Sequence, residues 1–339
     1  MPFAVGRQRL LSLIPRFQGR RIVVAGDFVL DRFVYGHPKR VSREAPVLIL
    51  RFWKEERLPG GGGNTAANVR SLGGLPLPVG VTGKDDEGRA LRDALRARGI
   101  DTLGLLESDA YRTPTKTRIL GGAPNAIKQQ IVRYDVEEPL ATDEAREASL
   151  RDRLVAAAKD ADAAILSDYG YGAAAPSAVA ALRAALPSGA RILVDSRHRL
   201  AEFANVDAAT PNEEELEEAA GRALESDGAL AKAGADLRAR MGCGCLLVTR
   251  GSRGMALFAD SAAPIAIPVH GTDQVADVTG AGDTVLATFA LALSAGAAPL
   301  EAALLANFAG GVVVMKMGTA IVTPAELAAA VEADRSLLS

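Results

Sequence analysis

The residues best suited to chemistry in this 339-residue chain lie in Asp277-Val278-Thr279-Gly280-Ala281-Gly282-Asp283-Thr284, just ahead of an apolar helical run from Val285. Small residues at a helix start leave backbone N–H groups unpaired at the positive end of the helix dipole, a setting that suits an anionic phosphate. Asp283 sits just inside that start. It reads either as a structural aspartate complementing the dipole or as the acceptor of a proton from a hydroxyl attacking a phosphate bound there.

Other segments offer partners for such chemistry. Pro59-Gly60-Gly61-Gly62-Gly63-Asn64-Thr65-Ala66-Ala67-Asn68-Val69 leads into a helix. It is no Walker A loop, because no Gly-Lys-Ser/Thr follows, and Thr65 occupies the third glycine position of a dinucleotide fingerprint. It is either a flexible loop or a place where backbone approaches a ligand, with Asn64 supplying donors and acceptors. Asp27 and Asp31 follow the first strand at the edge where parallel sheets bind ligands, so Asp31 is either a polyol binder or a turn cap. In Thr210-Pro211-Asn212-Glu213-Glu214-Glu215, a capping box is expected with Thr210 as N-cap, Pro211 at the first helical position and Glu213 three residues after the cap. Asn212 and Glu215 are left on one helical face, where they could orient water around a magnesium ion.

These residues need elements to position them. Arg21–Ala25, Ala163–Leu166, Arg191–Val194 and Cys245–Val248 read as buried strands alternating with helices, with an alanine-rich crossover helix at Ala174–Leu186. That is doubly wound α/β grammar with a largely parallel sheet and right-handed crossovers. Phe33–Trp53 and Thr115–Asp135 depart from it. With turn signals at Gly36-His37-Pro38 and Gly121-Gly122-Ala123-Pro124-Asn125, each reads as extended β structure, either a small lid or dimer-contact sheet or a decorative hairpin pair. There is no fixed-period repeat, low-complexity tail or interdomain linker.

Composition narrows the class. With 48% hydrophobic and 24% charged residues, the chain can build a full core. Lys+Arg 39 against Asp+Glu 41 gives a net charge of −2, with only 4% aromatic residues. No overall drive toward nucleic acid or anionic membrane follows, and no stacking platform for bases. Cys243 and Cys245, with His37, His198 and His270 scattered, give neither a disulfide framework nor zinc spacing, which favours a reducing, cytoplasmic setting. No signal peptide is read at the N-terminus. The apolar stretch Val285–Met315 is interrupted by Glu301 and Asn307 and reads as buried helices rather than a membrane span.

Taken in order, the Gly-rich run with Asn64, the Asn212–Glu215 element, Val248-Thr249-Arg250-Gly251 and Asp277–Thr284 resemble the ribokinase-like (PfkB) carbohydrate kinases over almost the whole chain. Gly26–Gly36, Arg40–Val47, Ser167-Asp168-Tyr169, Thr210-Pro211-Asn212 and the segment from Ala306-Asn307 through Gly318-Thr319 are most similar to the heptose 7-phosphate kinases of ADP-heptose biosynthesis. The resemblance implies one ribokinase-like domain over residues 1–339, α/β and doubly wound, with helices on both sheet faces and β-lid segments near 32–57 and 113–136. It implies transfer of phosphate from ATP to O1 of D-glycero-β-D-manno-heptose 7-phosphate. Asp283 would be the base, and the Gly280, Ala281 and Gly282 amides would stabilise phosphoryl charge. Asn212 and Glu215 would organise Mg-ATP, Glu215 holding Mg2+ through water, with Thr249, Gly251, Gly254 and Asn307 on the nucleotide side. Asp31, Gly60, Gly61 and Asn64 would face the sugar. Asp277 and Thr279 fall where the family often holds a monovalent cation such as K+, and the lid mediates homodimers in relatives.

Two departures bear on the substrate. Tyr171 stands where heptose kinases usually carry lysine, and Asp195-Ser196-Arg197 replaces their Asp-Pro-Lys. Arg197, Arg133, Arg118 or Lys116 could supply the missing cation, though each also reads as a solvated surface charge. The nucleotidyltransferase half of the bifunctional relatives is not expected in this chain. Two alternatives follow, a kinase for another sugar or sugar phosphate and a catalytically silent kinase-like binding protein.

Overall fold

Every one of the four apolar β-rich runs becomes a strand of one sheet. A computed structural model describes residues 3–123, 128–259, 263–271, 276–334 and 337–338. Its strands are β1 (Phe3–Gly6), β2 (Arg21–Val41), β3 (Leu48–Gly61), β4 (Leu75–Gly83), β5 (Leu105–Ser108), β6 (Thr115–Gly121), β7 (Gln129–Val136), β8 (Ala163–Asp168), β9 (Arg191–Ser196), β10 (Ala208–Ala209), β11 (Cys245–Thr249), β12 (Met255–Phe258), β13 (Ile265–Ile267) and β14 (Leu337–Leu338). The helices are α1 (Arg7–Leu13), α2 (Gly62–Ser71), α3 (Asp86–Arg96), α4 (Glu144–Ala158), α5 (Ala178–Ala185), α6 (Glu213–Ala220), α7 (Asp227–Met241), α8 (Ala281–Ser294), α9 (Pro299–Val313) and α10 (Pro324–Ala333).

The main sheet runs β13-β12-β11-β10-β9-β8-β2-β4-β5. It is parallel from β11 to β5 and antiparallel at the β12 and β13 edge. Strand side chains alternate between faces, and each face is buried here. Ile22, Val24, Ile165, Leu193 and Leu247 pack with α1, α2, α8, α9 and α10, while Val23, Ala25, Ala164, Leu166, Ile192, Val194, Leu246 and Val248 pack with α4, α5, α6 and α7. The apolar run from Val285 forms α8 and α9, whose alanines and Gly310 are buried against one another. No helix among the described residues is long and apolar enough to cross a membrane.

β2 does two jobs. Its first part, Arg21–Asp27, pairs with β4 and β8; beyond Phe28 it pairs with β3 and β6, and β6 with β7, to make the lid. The expected turn at Gly36-His37-Pro38 is therefore a stretch of strand, with register shifts between Tyr35 and Gly36 and between Pro38 and Arg40. Pairing with β6 ends at Gly36, so Pro38 lies beyond the last β6 partner, where its missing N–H costs little. The chain turns later, where Ser42 N–H donates to Val47 O. Of the second turn signal, Pro124 and Asn125 lie outside the described residues. The crossover helix begins at Ala178 rather than Ala174.

The helix at Asn212 also differs from expectation. Asn212, not Thr210, is its N-cap: Asn212 Oδ1 accepts from Glu215 N–H, and Glu215 Oε2 accepts from Asn212 N–H, both at 2.8 Å. Sheet contacts decide this. Thr210 N–H donates to Val194 O, Thr249 N–H donates to Pro211 O, and Asn212 bridges to Thr249, so the chain stays extended for two more residues. Glu213, released from capping, pairs with Arg250 and Arg253.

Candidate active site

The carboxyl ends of β2's first part, β8, β9 and β11 place Asp27, Asp168, Asp195 and Thr249 along one edge of the sheet. β2 has β4 on one side and β8 on the other, so the strand order reverses beside it, the place where open α/β sheets bind ligands. α8 starts at this edge. Gly280 precedes it with φ +75°, and a Cβ there would overlap Asn64 Nδ2, so the position is reserved for glycine. Ala281 N–H donates to Val278 O at 3.2 Å, whereas the Gly282 and Asp283 amides donate to no acceptor among the described residues. Open space lies over Gly282, where a Cβ would meet nothing within 4 Å.

Asp283 is 2% exposed and held by three donors. Asn64 Nδ2 donates to Oδ2 at 2.9 Å, Thr65 Oγ1 to Oδ1 at 3.2 Å, and the Tyr169 hydroxyl to Oδ1 at 2.8 Å. Asn68 Nδ2 donates to Asn64 Oδ1 at 3.2 Å, which fixes the orientation of the Asn64 amide. Burial pushes the Asp283 carboxyl up to about 6; the bonds from Asn64, Tyr169 and Thr65 pull down, and the Asp31 charge adds to the rise.

Asp283, Tyr169 and Gly280 form the partition between two cavities. The larger, about 790 Å³, is lined by Asp195, Arg197, Asn212, Glu215, Thr249, Gly251 and Gly282 among others. Burial raises the Asp195 and Glu215 carboxyls, Asp195 further through the Glu215 and Asp283 charges, while the Asn212 amide, Arg197 and His198 oppose the rise at Glu215. Gly254 and Asn307 lie off its walls: Gly254 O accepts from Arg250 N–H at 2.8 Å, and Asn307 Nδ2 donates to Pro268 O at 2.9 Å. A third cavity of about 460 Å³, lined by Ala25, Val79, Leu150, Leu154 and Leu166 among others, lies on the α4 and α5 face and includes none of the candidate residues.

The smaller cavity, about 160 Å³, is lined by Asp31, Gly61, Lys116, Arg118, Thr279 and Thr319 along with the partition. Gly60 is pressed so close to Asp31 that a Cβ would overlap Oδ2. Asp31 Oδ1 accepts from Arg118 at 2.6 Å, joining β2 to β6 inside the lid. Lys116 and Arg118 are 7% and 9% exposed, so they are not solvated surface charges. The Lys116 ammonium lies 5.2 Å from the centre of the Tyr169 ring and 5.9 Å from that of Tyr171, and makes no hydrogen bond or ion pair among the described residues. Burial lowers its pKa, and Arg197 and Arg133 lower it further. Arg133 is paired with Asp135, and the Tyr171 hydroxyl with Glu137.

Asp277 and Thr279 are engaged with each other. Asp277 Oδ1 accepts from Thr279 N–H and Oγ1, and Oδ2 accepts from Gly318 N–H, which ties the start of α8 to the segment after α9. Thr65, Tyr169 and Asp195 join the site although no motif in the sequence singles them out. Each carried a signal, since Thr65 follows Asn64 and the other two stand at the carboxyl ends of β8 and β9.

The model of the pfkB family of carbohydrate kinases matches residues 20–326. The chain belongs to that family. Among curated pfkB relatives it is similar to the bifunctional protein HldE of Mesorhizobium japonicum, 42% identical over 320 residues, covering 94% of this chain and 63% of that protein. It is also similar to the bifunctional protein HldE of Caulobacter vibrioides, 42% identical over 326 residues, covering 94% and 65%. The chain thus spans somewhat less than two thirds of the length of these relatives. Its pfkB fold is shared with Arabidopsis thaliana ribokinase complexed with ribose and ATP, at TM-score 0.71 and 22% identity, covering 94% of this chain and 100% of that one. It is shared too with Escherichia coli phosphofructokinase-2 in complex with fructose-6-phosphate, at TM-score 0.73 and 20% identity, covering 93% and 99%.

Proposed function

We propose that the protein transfers the terminal phosphoryl group of ATP to O1 of D-glycero-β-D-manno-heptose 7-phosphate, giving ADP and the 1,7-bisphosphate. The observation that carries this reading is Asp283 on the wall between a large cavity at a helix N-terminus and a small one faced by the Lys116 ammonium. A buried cation that touches only aromatic rings and has no anionic partner among the described residues is costly until an anion joins it, so the acceptor is a sugar that already bears a phosphate. A catalytically silent binding protein would have no need of a carboxylate oriented by three donors at that wall.

ATP takes the larger cavity, with Thr249 and Gly251 on its wall and the Gly282 and Asp283 amides, which donate to no acceptor among the described residues, toward the phosphates. Gly254 and Asn307 would act from behind that wall. Glu215 and Asp195, both on the wall of this cavity, would hold magnesium through water beside the ATP phosphates. Bound there, magnesium would neutralise charge on the phosphates. The sugar takes the smaller cavity beside Asp31, Gly60, Gly61 and Asn64. Asp283 accepts the O1 proton as oxygen bonds to phosphorus and ADP departs. The loose transition state asks mainly for alignment, so a carboxylate of modest basicity suffices. A potassium ion near Asp277 and Thr279 would draw on the negative charge of that segment. The lid closes over the sugar and forms a homodimer contact, and a cytoplasmic setting suits an ATP-dependent chain whose Cys243 and Cys245 are both thiols.

Tyr171 favours a second reading, a different sugar phosphate, because its hydroxyl is bound to Glu137 at a position where the heptose kinases that the sequence resembles usually carry lysine. Calorimetric titration with an ATP analogue present tests the first. Heptose 7-phosphate is expected to bind at least about tenfold more tightly than heptose, a difference of ~1.4 kcal/mol, and Lys116→Met is expected to abolish that preference. Equal affinity for both sugars in the unmodified protein would refute it.

A further inference from the structure

We infer that Tyr169 is a positioning residue for the proton-accepting carboxylate, and that Asp27 fixes Tyr169 in turn. This rests on Asp283 being the base proposed above. A carboxylate offers about four acceptor positions. At Asp283 the Oδ1 positions are taken by Thr65 and Tyr169, and one Oδ2 position by Asn64. One place remains, on Oδ2, so Oδ2 is the atom that receives the sugar proton. Asn64 and Thr65 both approach from α2. Tyr169 approaches from the end of β8, so the carboxylate is gripped from two elements and cannot swing Oδ1 into the reacting position.

Tyr169 can do this only if its own backbone is fixed. Asp27, 1% exposed, accepts from the amides of Tyr169 at 2.8 Å, Tyr171 at 3.0 Å and Ala173 at 2.9 Å. Asp168 accepts from Ser196 Oγ at 2.7 Å and Arg199 at 2.8 Å, and Arg199 also donates to Ala174 O. The segment from Tyr169 to Ala174 is thereby pinned by two buried carboxylates that touch neither Asp283 nor the smaller cavity. Burial and the Asp283 charge hold the Tyr169 hydroxyl well above the ordinary tyrosine range, so it stays a donor throughout the working pH. Other ionisable groups facing Asp283 include Asp31 on β2, Asp195 on β9, Lys116 and Arg118 on β6 across the smaller cavity, and Arg197, His198 and Glu215 across the larger.

Tyr169→Phe removes one donor and keeps the ring under Lys116. It is expected to leave the ATP KM unchanged, lower kcat about tenfold at neutral pH, and move the acidic limb of the kcat profile upward by about one pH unit, because the lost bond favoured the ionised form. Tyr171→Phe, altered on the same segment but bonded to Glu137, is expected to leave that limb in place. Carboxyl carbon NMR titration of Asp283, assigned by its loss in Asp283→Asn, is expected to show the same upward shift without turnover. The NMR shift would therefore uphold the inference even if no sugar tested were phosphorylated. An unmoved Asp283 titration in Tyr169→Phe, or an equal movement in Tyr171→Phe, would overturn it.

Discussion

Asp283 balances two opposed effects. Burial disfavours its charged form and outweighs the three donors that favour it, leaving the group near 6. It is ionised at neutral pH, and kcat is expected to fall as pH drops through about 6. Asp283→Asn should lower kcat by about 10²- to 10⁴-fold while ATP-analogue affinity, measured by calorimetry, stays within about threefold. The same shift has a sign for stability. The folded pKa lies above the unfolded one, so between about 4 and 6 the folded state binds the proton that the unfolded state has released, and rising pH costs stability. Asn cannot ionise. Thermal unfolding of Asp283→Asn relative to the unmodified protein should therefore improve from pH 4 to pH 7; a constant difference would mean that the carboxyl titrates in its ordinary range.

β2 links chemistry to architecture, because one strand is both a central member of the sheet and the spine of the lid. The Arg118–Asp31 pair closes this arrangement, with side chains only 11% and 6% exposed. Removing one member of a buried pair strands the other charge, so Arg118→Met is expected to cost about 3 kcal/mol in denaturant unfolding, and a loss below ~1 kcal/mol would show that water reaches Asp31. The start of α6 marks the limit of local reasoning. Thr210 with Glu213 and Asn212 with Glu215 both satisfy the capping pattern, and the choice between them is made by β9 and β11, which hold Thr210 and Pro211 extended. The apolar runs of β2, β8, β9 and β11 were legible because each strand is buried on both faces, which leaves no place for polar residues between the apolar ones. The continuation of β2 through Gly36-His37-Pro38 was not, since its partners come from β3 and β6.

In the molecule as a whole, the motifs at Asn64, Asn212, Thr249 and Asp283 were legible as separate segments, and the sheet brings them to one edge. Contacts between distant segments were not legible. Tyr169 reaches Asp283 across 114 residues, and Lys116 is buried only because the lid folds against the tyrosines after β8. The lid also carries exposed Val41, Val47, Phe52, Trp53, Ile131 and Tyr134, which suit contact with a second copy. Phe52→Glu is expected to halve the mass found by light scattering, and an unchanged mass would place any dimer contact elsewhere. The central claim, that Asp283 serves a cavity built for a phosphorylated sugar, is tested most directly by following ADP release with heptose 7-phosphate and with heptose, and reading the product by phosphorus NMR. Rapid release with the phosphorylated sugar alone, and a new anomeric phosphate signal, is the predicted result; release with heptose and none with heptose 7-phosphate would contradict it.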